Sequence, residues 1–135
     1  MENQLLLIID RALSSATVAR AIAALSIQFG NREVGVVGPE VVDSDGNPHS
    51  GRVQVTSPVL RASHESMARV ADVARTWSEE VSLYDLNSLA SLSRTHDEYV
   101  DLMQTTPAHD IAYQGIALYG DRQAIKKIVD SVGLV

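Results

Sequence analysis

The stretch Ala112-Tyr-Gln-Gly-Ile-Ala-Leu-Tyr-Gly-Asp121, followed by Arg122-Gln-Ala-Ile-Lys-Lys-Ile-Val-Asp-Ser-Val-Gly-Leu-Val135, decides how the rest of this chain is read. Its apolar run predicts a strand from Ile111 to Tyr119, and Gly120 supplies the turn. Asp121 is placed to cap a helix whose core stripe is Ile125, Ile128, Val129 and Val132. A strand feeding a helix is the repeating unit of a layered α/β domain. The spacing Gly115-x-x-x-x-Gly120 is not a phosphate loop, because Asp121-Arg122 stands where such a loop needs lysine and a hydroxyl residue.

The opening of the chain carries the complementary signal. Leu5-Leu-Leu-Ile-Ile9 is a continuous apolar run ending at Asp10-Arg11, as expected of a strand buried on both faces at the centre of a sheet. Ser14 or Ser15 then caps a helix reaching about Phe29, with Val18, Ile22, Leu25 and Phe29 inward and Gly30-Asn31 as its stop. The segment from Glu33 to Ser57 reads as an irregular excursion. It is dense in turn residues at Asp43-Ser-Asp-Gly-Asn-Pro48 and is expected to hold a small hairpin returning through Val53 to Val55. Pro58 to Ala62 is a second sheet strand. Ser63 caps the helix behind it, whose stripe is Met67, Val70, Ala71 and Ala74, with Trp77 closing it. Val81 to Tyr84 alternates as a third strand, and Asp85 to Ser93 follows as a helical turn. Thr95-His-Asp-Glu98 reads as a capping box opening a helix with Tyr99, Leu102 and Met103 inward. The order β-α-hairpin-β-α-β-α-α-β-α predicts one domain over residues 1–135, with a largely parallel or mixed sheet.

Composition bounds the chemistry. The chain has 135 residues, no cysteine and a formal net charge of -6. Disulfides, thiolate metal sites and a cysteine nucleophile are therefore excluded, and a reducing, cytoplasmic setting is expected. The acidic balance, with Lys126 and Lys127 as the only lysines, argues against a broad nucleic-acid surface. The run Leu5 to Ile9 is too short to span a bilayer and has neither the basic region nor the cleavage site of a signal peptide. The histidines His49, His64, His96 and His109 give no pair on one helical face, so no zinc site of that kind is expected, and no cofactor is implied. No Gly-x-Ser-x-Gly elbow occurs.

Asp10 to Gly30, Val37-Gly-Pro-Glu-Val-Val-Asp43, Arg94-Thr-His-Asp-Glu-Tyr99 and Gly115-Ile-Ala-Leu-Tyr-Gly120 together resemble the uncharacterised family labelled DUF2000, grouped by fold with the type II peptidyl-tRNA hydrolases. The resemblance covers nearly the whole chain. It implies an α/β domain of three layers, α/β/α, with a four-stranded mixed sheet, assembled as a homodimer. The related hydrolases place lysines at the start of their first helix and a histidine further along it. Here Leu13 to Leu25 holds neither, and its one basic residue is Arg20, which does not deprotonate in proteins. The resemblance thus carries the fold without the hydrolytic chemistry.

The site expected from these readings is the mouth between the end of the first strand and the start of its helix. Ligands of open α/β sheets gather at the carboxyl ends of strands, where helix N-termini offer unpaired amides. Asp10, Arg11, Ser14, Ser15, Thr17 and Arg20 would bind a small anion or carboxylate there, with Tyr84 and Tyr119 lining the same mouth from neighbouring strands. No catalytic or metal-binding residue is assigned. The competing expectations are hydrolysis of a peptidyl or aminoacyl ester, and a partner-binding role for the excursion.

Overall fold

The computed structural model describes residues 2–134. Strand β1 (Asn3–Asp10) leads through a short loop into helix α1 (Ser15–Arg32). The excursion carries a two-residue hairpin, β2 (Val41–Val42) with β3 (Pro48–His49). Next come β4 (Val59–Ala62), α2 (His64–Arg75), β5 (Val81–Asn87), α3 (Ser88–Leu92) and α4 (His96–Thr105). A single 3-10 turn (Ala108–Asp110) precedes β6 (Tyr113–Asp121) and α5 (Arg122–Val132).

The main sheet has four strands in the order β4-β1-β6-β5. β1 is parallel to β4 and antiparallel to β6, and β6 is antiparallel to β5, so the sheet is mixed. The unbroken apolar run of β1 is explained by its position: Leu5 to Ile9 are all buried, and Ile8 and Ile9 are sealed completely. Alternate residues serve two cores. Leu6 and Ile8 join Met67, Val70 and Ala71 of α2 and Ile125, Ile128 and Val129 of α5. Leu5, Leu7 and Ile9 join Ala21, Leu25 and Phe29 of α1. Helices therefore cover both faces, α1 on one and α2 with α5 on the other.

Three expectations shift. The hairpin closes between Val41–Val42 and Pro48–His49, while Val53 makes an isolated antiparallel bridge to Val37. The reason is local: the Asp43 carboxylate accepts from the backbone N–H of Asp45 and of Asn47, which winds the turn tightly and ends it at Pro48. The third strand runs on through Asn87, so Asp85 and Leu86 belong to β5 and helix α3 begins only at Ser88. The last strand begins at Tyr113 and continues to Asp121.

Candidate functional site

The end of β1 is tied down from both sides. Arg11 N–H donates to the carbonyl of Ala62 on β4 at 2.9 Å, and Asp10 Oδ1 accepts from Ala12 N–H at 3.0 Å. Ser14 caps α1: its Oγ accepts from Thr17 N–H at 3.4 Å and lies 3.0 Å from Thr17 Oγ1. No acidic side chain occupies the first turn, so the positive end of the helix is not neutralised. Immediately across, Ser63 caps α2 by accepting from Ser66 N–H at 3.1 Å.

Topology brings these two helix starts together. β1 and β4 are adjacent and parallel, yet α1 packs on one face of the sheet and α2 on the other. Such a divergence marks the switch point that forms the crevice position of open α/β sheets, here at the carboxyl ends of the two strands with a helix N-terminus on each flank. Two side chains missed by sequence reasoning complete it. Arg61 on β4 donates through Nη2 to the carbonyls of Asp10 at 3.2 Å and Leu13 at 3.0 Å, which places a guanidinium against the β1–α1 loop. His64, the first residue of α2, reaches over to β6, where Tyr113 N–H donates to its Nδ1 at 3.2 Å. With Nδ1 accepting, the neutral ring carries its proton on Nε2. Neither residue announces itself in the sequence, since an arginine in a strand and a histidine after a serine cap are ordinary there.

Asp10, Arg11, Ser14, Ser15 and Thr17 thus gather at this crevice, which is an open corner: Arg11, Ser14 and Ser15 are exposed. Arg20 is exposed further along α1, six residues past the cap or about 9 Å up the helix axis. It does not belong to the mouth.

Tyr84 and Tyr119 do not belong to it either. β6 runs antiparallel to β1, so Tyr119 pairs with Leu5, near the start of β1, while Tyr84 opposite Ala117 lies mid-strand. Both pack on Phe29 near the far end of α1, at ring-centroid distances of 6.1 Å and 4.8 Å. Tyr84 donates to Glu33 Oε1 at 3.4 Å, and burial, followed by the Glu33 charge, pushes its phenol pKa upward. An aromatic cluster anchoring the end of α1 explains both tyrosines.

Defined clefts lie elsewhere. One of about 690 Å³ lies between β4 and α5, lined by Leu6, Pro58, Leu60, Ile125 and Val129 with Arg122 and Lys126 at its rim. Arg122 is paired there with Glu2 at 3.4 Å and Lys126 with Asp130 at 2.6 Å. Among the described residues no cluster of three or more histidine, aspartate or glutamate side chains is suited to a metal ion. His96 and Asp97 are exposed at the start of α4. No helix of the described residues is long and apolar enough to cross a membrane.

The sequence profile described as "Protein of unknown function (DUF2000)" matches residues 3–135. The chain belongs to the DUF2000 family. A solved structure of a protein of unknown function from Agrobacterium tumefaciens strain C58 superposes with a TM-score of 0.80, at 16% identity, over 95% of this chain and 93% of that one. At that identity the likeness is one of fold. The chain matches no curated protein at a significant level. In this DUF2000 chain, the β1–β4 corner joins two helix starts, Arg11 and Arg61 in one place.

Proposed function

We propose that this protein binds a small anion or carboxylate, without hydrolysing it, in the crevice between the carboxyl ends of β1 and β4. The observation that carries the reading is the divergence of α1 and α2 to opposite faces from adjacent parallel strands, which aims two helix N-termini at one place. Each N-terminus is equivalent to roughly half a positive charge. Arg61 and Arg11 add full charges beside them. Asp10 and Glu65, the latter in the first turn of α2, offset those charges, so the attraction for an anion rests on the backbone amides and on the N-terminus of α1, whose first turn holds no acid.

The same geometry disfavours turnover. A hydrolase here would need a base to take a proton from water or from a serine. His64 stands beside the Ser63 cap at the start of α2, and its Nδ1 lone pair is occupied by the Tyr113 amide. The proton on Nε2 leaves a hydrogen-bond donor, which suits binding an anion and does not suit proton abstraction. We place the fold with the type II peptidyl-tRNA hydrolase-like domains; the mixed four-stranded sheet with helices on both faces supports that placement. The cysteine-free sequence suits a cytoplasmic setting, and a two-fold dimer, the commonest homo-oligomer, is the assembly we propose.

Titration calorimetry with inorganic phosphate, acetate and N-acetyl amino acids tests the proposal. Saturable heats that Arg61→Ala lowers about tenfold in affinity are expected, the scale of losing one charge-assisted hydrogen bond. Release of peptide from peptidyl-tRNA at a rate abolished by His64→Ala would replace binding with hydrolysis.

A further inference from the structure

The opposite margin of the sheet carries a second feature, independent of the anion crevice. β5 is an edge strand, paired only with β6. Its seven residues, Val81-Ser-Leu-Tyr-Asp-Leu-Asn87, contain no lysine, proline or glycine. Edge strands commonly carry such devices against pairing with another chain; here Asp85 and a β-bulge between Leu86 and Asn87 guard the far end and leave Ser82 to Tyr84 without one. Two local bonds limit the open stretch. Val81 N–H is taken by the Trp77 carbonyl at 2.9 Å, and Gln28 Nε2 donates to the Asp85 carbonyl at 3.0 Å. Ser82, Leu83 and Tyr84 lie between them.

A cleft of about 220 Å³ runs along this stretch, lined by Arg32, Arg75, Ser78, Val81, Ser82 and Leu83, with no carboxylate among its lining residues. The two arginines come from different layers. Arg32, in the last turn of α1, stands with its guanidinium carbon 5.5 Å from the Tyr84 ring centroid on the α1 face. Arg75, in the last turn of α2, is held on the other face by its bond to Tyr113 Oη at 2.8 Å; its second contact, to Asp72 at 3.2 Å, is with a largely exposed side chain. In a chain of net charge -6, the stretch Ser82 to Tyr84 is thus flanked above and below by guanidinium groups, with carboxylates at Glu33, bonded to the Tyr84 hydroxyl, and at Asp85, next along the strand. The next cleft along the edge has the opposite sign, being lined by Glu33, Glu79, Glu80 and Asp121.

We propose that the outer edge of β5 docks an extended acidic segment of a partner protein, added as a fifth strand over Ser82 to Tyr84. Successive side chains of a strand point to opposite faces. One guanidinium on each face therefore selects two consecutive acidic residues, one reaching Arg32 and the next reaching Arg75. Acids separated by one residue would share a face and meet a single arginine. Main-chain pairing supplies the register and the arginines supply the selectivity, the usual division of roles in strand addition. Glu79 and Glu80 repel an acidic run that slides towards the start of β5.

Fluorescence anisotropy on the full chain tests this with labelled six-residue peptides of valine and threonine bearing two glutamates. The peptide with adjacent glutamates should bind about tenfold more tightly than the isomer with one valine between them, and the adjacent-lysine version should not bind. Arg32→Gln, with folding checked by its melting curve, should remove the preference, as should Arg75→Gln. N-methylation of alternate peptide amides, which blocks strand pairing and leaves the charges, should abolish binding. Equal binding of the two glutamate isomers overturns the two-faced clamp. Binding that survives N-methylation overturns strand addition, and absence of binding by the adjacent-glutamate peptide overturns both.

Discussion

Arg61 on β4 and Leu13 in the β1–α1 loop are joined by a hydrogen bond from Nη2 to the Leu13 carbonyl at 3.0 Å, and the same nitrogen reaches the Asp10 carbonyl at 3.2 Å. One side chain thus fixes the loop that presents the N-terminus of α1 to the crevice. Arg61→Ala should lower stability by about 1–2 kcal/mol in urea unfolding, the range for charge-assisted bonds at an exposed site. Arg61→Lys keeps the charge but not the planar fork and should recover only part of the anion affinity. Calorimetry on both variants separates the two contributions.

Asn87 is the polar side chain most deeply placed in the fold, at 1% exposure. Its Nδ2 donates to Asp85 Oδ2 at 2.8 Å and to Tyr99 Oη at 2.9 Å, while Oδ1 accepts from the N–H groups of Leu89 and Ala90. It both caps α3 and ties α4 to β5. Asn87→Ala leaves those partners unsatisfied and should cost about 2–3 kcal/mol by chemical denaturation. A cost within 0.5 kcal/mol of zero would mean that α3 and α4 are held by other contacts.

Asp43 organises the hairpin through His49, at 2.8 Å, and through the backbone amides of Asn47 and Asp45. The His49 bond and then those amides hold its carboxyl pKa below the usual 3.8. The sign follows directly: a depressed carboxyl contributes order that is fully present above 3.8 and lost as pH falls through the lowered value. The hairpin should therefore keep its amide protection at Asp45 and Asn47 down to about pH 4 and lose it at lower pH. Carboxyl-carbon NMR should also show the Asp43 titration moving up in His49→Ala.

Two glycines make opposite predictions. A Cβ on Gly51 would collide with the carbonyl group of Gly38, a backbone obstacle that cannot swing aside. A Cβ on Gly115 would meet the side-chain ends Ile9 Cδ1 at 2.9 Å and Leu25 Cδ1 at 3.1 Å, which can shift by small rotations. Gly51→Ala should displace the excursion, seen as loss of amide protection around the Val37–Val53 bridge, with the main sheet intact. Gly115→Ala should fold, with a cost of about 1–3 kcal/mol from crowding the core.

The legible parts of the sequence were those with strong local physics. The run Leu5 to Ile9 could only be satisfied in a central strand, and the serine and aspartate caps at Ser14, Ser63 and Asp121 fall where the structure has them. The capping box at Thr95 is also present, although the Glu98 carboxylate reaches the N–H of Arg94 at 2.8 Å rather than that of Thr95. The hairpin register was not legible, because the turn is closed by a carboxylate bonding pattern and not by hydrophobic alternation. The misplacement of Tyr84 and Tyr119 has two causes: periodicity predicts strands but not their direction, and the antiparallel course of β6 sends Tyr119 to the far end of β1, while β5 runs on to Asn87 and leaves Tyr84 mid-strand. Arg61 and His64 act through contacts to residues 48 to 51 positions away, which no local pattern encodes.

The amides facing the crevice offer the most direct test. Nitrogen–proton correlation NMR of the full chain, titrated with inorganic phosphate and then with N-acetylglycine, should move the backbone resonances of Ser15, Ala16, His64 and Glu65 together along one saturating curve, since these belong to the two converging helix starts. Resonances that stay still there, or that move first around Leu60 and Ile125 in the cleft beside α5, would contradict the assignment of the anion site.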